Sequence, residues 1–284
     1  AEVAAVRAQV AELDGVDRAT PPIVLGDGAA LIQAIPSAPH ISETSQATVR
    51  AVRDLDQPPG TTVQVTGATA DFVDFQSSLS HHLPYAVAIV VLATLAILFL
   101  MTGSVVLPIK ALLMNVLNLS AVFGILVFVF QDGRLESLLG YTSQGGLEQT
   151  MPILLFALAF GLSTDYAVFL LSRIKEARDA GASNSDSVAI GLERTGRIVT
   201  AAALLFAIAI GAFATSEIIF IKQNGIGTAL AVLLDATIIR ALLVPSLMEL
   251  LGEWNWWAPG PLRRLHERIG ISEAPTGEPR AAGA

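Results

Sequence analysis

The sequence contains no cysteine, so disulfides, thiolate metal sites and cysteine nucleophiles are excluded together. Charge is scarce as well. Only 15% of the 284 residues are Asp, Glu, Lys or Arg, while 53% are hydrophobic; soluble domains carry about 25% charged residues. That balance points to a membrane. No basic patch or nucleic-acid motif occurs, which argues against a nucleic-acid partner. No G-x-x-x-x-G-K-[ST] is found, so the chain has no ATP-driven motor of its own. The net charge of −8 is unevenly spread. Residues 1–80 hold ten acidic and four basic side chains, the balance of a solvated domain.

Residues 1–80 read as α+β. An amphipathic helix is expected over Ala1 to Leu13. Two apolar runs, Thr20–Leu25 and Ala29–Pro36, flank Gly26-Asp27-Gly28, a hairpin signal. Ser42 stands as an N-cap ahead of a helix reaching Leu55. Thr61–Thr66 alternates as a strand, and Ala68–Leu79 is expected to be a helix leading into the next segment. The order α-β-β-α-β suits the latter part of a split βαβ, ferredoxin-like unit.

Five apolar stretches follow, each long enough to cross roughly 30 Å of hydrocarbon. They lie near 84–102, 108–130, 151–171, 197–215 and 222–250, within a membrane domain over 81–251. Pro108 and Pro152 fall in first turns, where a missing N–H costs little. Residues 252–284 form a tail that opens with Trp254, Trp256 and Trp257, read as an interfacial belt.

Loop charge sets an expected topology. Arg173, Lys175, Arg178, Arg194 and Arg197 lie between the third and fourth spans, and Arg263, Arg264, Arg268 and Arg280 follow the fifth. Both segments are expected in the cytoplasm by the positive-inside rule. Five spans with the C-terminus inside place residues 1–80 outside. Nothing before Ala1 carries them across, so the expectation is a piece of something longer.

Asp165 breaks the membrane pattern. It precedes Arg173 by eight residues, about 12 Å of helix rise, and so falls near the bilayer middle. A carboxylate there costs roughly 2.5–3.5 kcal/mol on insertion scales. Burial is expected to favour its neutral form and make it able to exchange protons. Tyr166, offset by about 100° around the helix, offers a hydroxyl. Gly161, one turn earlier on the face of Asp165, leaves room for a neighbouring helix. Two readings stand, ion or proton coupling and a structural hydrogen bond between helices. Asp235 and Arg240 are a second anomaly. Five residues apart, they are about 140° from each other on an α-helix, so they are not expected to stack. Arg240 is expected to snorkel or to pair with another helix, and structural and functional roles stay open for both. Asn115 and Asn118 are expected to bond between helices. Glu217, Lys222, His81 and His82 are read as wetted span ends. An intramembrane aspartyl protease would carry Gly-x-Gly-Asp, whereas Asp165 and Asp235 follow Ser163-Thr164 and Leu233-Leu234. An enzyme is therefore not expected.

Four stretches, "FGLSTDYAVFLLSRIKE", "TGSVVLPIKALLMN", "LAVLLDATIIRALLVPSLMELLG" and "WNWWAPGPLRRL", together resemble the MMPL (mycobacterial membrane protein large) family of the resistance-nodulation-division superfamily. The resemblance covers nearly the whole chain and is weakest over residues 1–80. It implies the second of two repeats, lacking its first span and the start of its porter domain. It implies that Asp165 and Tyr166 form a proton relay facing an equivalent pair from the missing N-terminal repeat. Asp235, Arg240 and Arg173 then match further charged positions of the bundle. The implied activity is export of lipids or other hydrophobic envelope compounds across a bacterial plasma membrane. Protons would be the coupling ion, with no other cofactor and with membrane lipids as surroundings. A non-transporting scaffold or sensor of the same fold is the alternative.

Overall fold

The computed structural model describes residues 2–270. Ala1 and the tail beyond Gly270, including Arg280, lie outside the described residues. Its elements run α1 (Glu2–Ala11), β1 (Val16–Ala19), β2 (Ile23–Gly26), β3 (Ala29–Leu31), β4 (Ala34–Pro36), α2 (Glu43–Arg53), α3 (Ala68–Thr102) and α4 (Val106–Leu126). They continue with α5 (Glu136–Leu139), α6 (Met151–Asp179), α7 (Asn184–Gly211), α8 (Ile219–Leu234), α9 (Val244–Leu251) and α10 (Gly260–Ile269). Two π-helical segments interrupt the order, Val127–Gln131 after α4 and Asp235–Leu243 between α8 and α9. Two compact units result. One holds the described residues up to Pro84 with Gly124–Pro152, the other Tyr85–Phe123 and the described residues from Ile153 on.

In the first unit, β1 pairs with β4 and β2 with β3, both antiparallel, as one nested hairpin. Its tip takes positive φ at Gly26, Asp27 and Gly28 (102°, 49° and 78°), a conformation that glycine adopts without Cβ strain. Val6, Val10 and Ala19 bury together against Val63, and Val49, Ala70 and Val73 against Val65. Ser42 caps α2 as expected, accepting from Ser45 N at 3.3 Å. Thr61–Thr66, however, is not a strand. Its alternation is real, with Val63 and Val65 turned toward the two cores, but no neighbouring strand offers a ladder. Alternation reports which side chains are buried, not whether the backbone has a partner. At the far end of α4, Ser143 Oγ donates within 2.9 Å of the Phe130 and Gln131 carbonyls, which the helix terminus leaves without internal partners.

The second unit is a helical bundle. Its core gathers Leu98, Leu107, Leu170, Leu171, Ile174, Val188 and Met248 from α3, α4, α6, α7 and α9. Gly191 lets α7 approach α6 closely; a Cβ there would fall 2.3 Å from Ile174 Cγ1. Asn255, buried between α9 and α10, donates to the Met248 and Gly252 carbonyls at 2.7 Å. Of the three tryptophans, Trp254 and Trp257 are exposed, but Trp256 turns inward and donates to Asn184 Oδ1 at 3.1 Å. Lys222 departs from its expected wetted position. It is 4% exposed, and Gln223, Asn224 and Gly225 beside it are buried too, so the start of α8 is enclosed around most of its circumference rather than wetted.

Candidate functional site

Among the described residues five helical stretches are long and apolar enough to cross a membrane: Ala68–Thr102, Val106–Gln131, Met151–Asp179, Asn184–Thr215 and Ile219–Trp256. A polar network joins three of them. Ser163, on α6, is its hub. Leu155, Ala159 and Ser163 recur every four residues and are buried, so this stripe faces the bundle. Ser163 Oγ lies 2.6 Å from Asn115 Oδ1 on α4 and 2.8 Å from Asp235 Oδ1. One hydroxyl proton therefore serves two acceptors. Asn115 Nδ2 donates to Thr164 Oγ1 at 3.3 Å, and Asn118 Nδ2 to the Ala231 carbonyl of α8 at 3.1 Å. Both asparagines bond between helices, as their sequence positions suggest.

Asp235 and Arg240 do pair, contrary to the expectation from an α-helical wheel. Arg240 Nε donates to Asp235 Oδ2 at 2.7 Å, and both residues are buried, 6% and 2% exposed. The reason is local: Asp235–Leu243 is π-helical, with i→i+5 bonding that brings residues five apart into register. Arg240 also donates to the Ser163 carbonyl of α6, so it joins another helix at the same time. Its guanidinium lies 5.3 Å from the ring centroid of Tyr166. Sequence reasoning missed Ser163. A small hydroxyl two residues before a membrane aspartate was its only signal.

Asp165 is placed quite differently. It is two residues from Ser163, about 200° around α6, and it is exposed. No hydrogen bond or ion pair holds it among the described residues. Leu154, Leu158 and Gly161 share its face at helical spacing and are exposed too. Among the described residues nothing outside the local helix backbone comes within 4 Å of where a Gly161 Cβ would stand. The burial expected for Asp165, and the interhelical bond of the structural reading, are thus absent among the described residues, because its face of α6 is turned away from α4 and the π-helical segment. Tyr166, adjacent in sequence, is half-buried toward Arg240, so the pair straddles the two faces of the helix. Asp165 and Asp235 do not share a site, as an aspartyl dyad must. Arg173 stays apart from the network: it bonds Glu176 at 2.7 Å, one turn on, and its side chain is 40% exposed. Among the described residues no group of three His, Asp or Glu side chains is placed to hold a metal ion.

Five spanning helices, one of them carrying a buried ion pair, define a multi-pass membrane protein. The chain belongs to the MMPL family, whose profile matches residues 9–273. It is 47% identical to a membrane protein of Streptomyces coelicolor over 81% of this chain and 32% of that protein. It is 46% identical to the trehalose monomycolate exporter MmpL3 of Mycobacterium tuberculosis, over 78% of this chain and 23% of the relative. Identity to the mycolic acid-containing lipids exporter MmpL11 of Mycolicibacterium smegmatis is 36%, over 93% and 28% respectively. The matched region therefore spans a third or less of the length of these relatives.

Proposed function

We propose that this chain is part of a proton-driven exporter of lipids or other hydrophobic envelope compounds, in which Asp165 and Tyr166 take up and release the coupling proton. The observation that carries this reading is the position of Asp165, an ionisable group without a partner on an otherwise apolar helix face. Facing lipid alone, such a carboxylate is costly; intramembrane carboxylates line ion and proton pathways. A second body of the same longer protein that covers this face would complete the site, and the length of the relatives leaves room for one. The names of two relatives support an acyl-chain lipid as the class of substrate. Tyr166 links the two sides of α6: its ring meets Arg240, and its hydroxyl lies next in sequence to the carboxylate.

In this reading residues 1–80 and 131–149 face the outside of a bacterial plasma membrane, and 173–196 and the tail face the cytoplasm. Cysteines at the exposed positions Thr62 and Ala180 of a cysteine-less full-length protein then label from opposite sides. The buried network favours a second, structural role for Asp235 and Arg240, which hold α6 to the π-helical segment. The test of function is export by the full-length protein in vesicles with an imposed proton gradient. Asp165→Asn should insert and fold normally yet export at background, and Tyr166→Phe should lose less. Wild-type export by Asp165→Asn, or export that survives collapse of the gradient, would overturn the proposal and leave the scaffold reading.

A further inference from the structure

Lys110 stands one turn into α4, on the face that also carries Leu107, Met114 and Asn115. It is 6% exposed, and its Nζ has no hydrogen-bond partner among the described residues. The side chain lines a cavity with about 30 Å³ of room for the centres of water molecules. That is space for about two waters. The cavity is bounded by α4, α6, the π-helical segment and α9. Its charged lining groups are Lys110, Asp235 and Arg240; α6 adds Ser163 as its one polar side chain, and α9 adds only Val244.

The charges do not cancel. Asp235 and Arg240 neutralise each other through their 2.7 Å bond, which leaves the ammonium as the surplus. A buried ammonium without a partner is expensive; the space beside it is large enough for water and, though walled mostly by apolar side chains, is edged by Asn115, Ser163 and Asp235. Asp235 is within bonding range of Arg240 on one oxygen and Ser163 on the other. Ser163 has one proton for two acceptors, Asn115 Oδ1 and Asp235 Oδ1. A proton on Asp235 would resolve that conflict: Asp235 would donate to Ser163, and Ser163 to Asn115.

We propose that Lys110 is a proton-exchanging group of this bundle, joined to Asp235 and Ser163 by water held in the cavity. The proposal rests on the proton-coupled reading above. The step balances. The ammonium gives one proton to cavity water, the water gives one to the Asp235 carboxylate, and Lys110 is left as a neutral amine. The reverse transfer restores both groups. While Asp235 is neutral its hold on Arg240 weakens, and Arg240 is the group that lies over Tyr166 on the way to Asp165. Lys110 acts through that chain and is a positioning residue for the relay.

The experiment compares full-length wild type, Lys110→Met and Lys110→Arg in proteoliposomes, reading proton uptake against pH under an imposed gradient. Lys110→Met should slow uptake at least tenfold and flatten its pH profile. Arg keeps the charge but cannot give up its proton, so Lys110→Arg should be as slow. Wild-type rate and profile in either variant would overturn the proposal; in Lys110→Arg it would mean that only a fixed cation is needed. Asp165→Asn separates the two levels of the argument. Loss of uptake there, with Lys110→Met unchanged, defeats this proposal alone, whereas uptake retained in both defeats the coupling reading as well. If Lys110→Met does not fold, wild-type protein still decides. Radiolytic labelling with ¹⁸O-water should mark Met114, which lines the cavity, well ahead of Met248, which is 0% exposed in the dry core. A Met114 as protected as Met248 means a dry cavity and ends the proposal.

Discussion

Asp165 and Asp235 sit within the apolar stretches of two spanning helices, and their surroundings are opposite. Asp235 is 2% exposed, with oxygens reached by Arg240 at 2.7 Å and Ser163 at 2.8 Å. Asp165 is exposed on a face lined with Leu154, Leu158 and Gly161, and nothing among the described residues bonds it. The first is held by this chain's own fold, and the second is left for something else to meet. A buried ion pair is weak evidence for stability, but removing one partner is severe because the other charge stays buried alone. An unpartnered carboxylate contributes nothing to stability. Its presence calls for a use outside the fold, and proton exchange is that use in our reading.

Removing each carboxylate in turn tests this contrast hardest. Asp235→Ala should destabilise the protein by about 3–5 kcal/mol, since it strands Arg240. The double variant Asp235→Leu/Arg240→Met should recover most of that loss. Asp165→Ala should shift stability by no more than about 0.5 kcal/mol. Equal losses in Asp235→Ala and Asp165→Ala, read by thermal unfolding in micelles, would erase the distinction. A smaller effect separates a glycine of α7 from one of α6. Gly191→Ala puts a Cβ 2.3 Å from Ile174 Cγ1 and should cost about 1–3 kcal/mol by overpacking. Gly161→Ala meets nothing among the described residues beyond its own helix. Any loss of export that it causes in the longer protein would report a covering body on the Asp165 face. Smaller again is Ser163→Ala, which should cost about 1 kcal/mol because it removes one shared hydrogen bond.

The exposed pair in the first unit marks the lower end of this scale. Arg53 bonds Asp74 at 2.6 Å, and that bond holds the Asp74 carboxyl below its ordinary pKa. A lowered folded-state pKa gives stability above the unfolded value, lost as pH falls through the folded one. Asp74→Asn should therefore slightly reduce the dependence of unfolding on pH in the acid range. It should leave stability at neutral pH almost unchanged, as exposed pairs contribute little.

Much of this could be read from the sequence where the signal was local. Ser42 at its helix start, Gly26-Asp27-Gly28 at its turn and five apolar stretches each report a short-range rule. The misses are cases where a neighbour decides. Val63 and Val65 alternate as strand residues do, but no second strand stands beside them. Lys222, near a helix start, was read as wetted, yet the start of α8 is enclosed. The Asp235–Arg240 pair was hidden by assuming α-helical geometry, and five residues apart is the spacing that a π-helical segment brings together. Asp165 stood out at once, because a lone carboxylate in an apolar run is visible without any structure. Which face of α6 it takes was not visible. That depended on Ser163 being the residue turned inward.

Reaction with a hydrophobic carbodiimide, which adds to protonated carboxyl groups, tests the contrast most directly. The full-length protein would be labelled in membranes across a range of pH, and the peptides carrying Asp165 and Asp235 quantified by mass spectrometry. Asp165 should be modified, faster as pH falls, with export lost in proportion. Asp235 should stay unmodified, because the cavity beside it, with about 30 Å³ for water centres, admits water but not the reagent. Labelling of Asp235 as fast as Asp165, or an Asp165 that never reacts at any pH, would contradict the account.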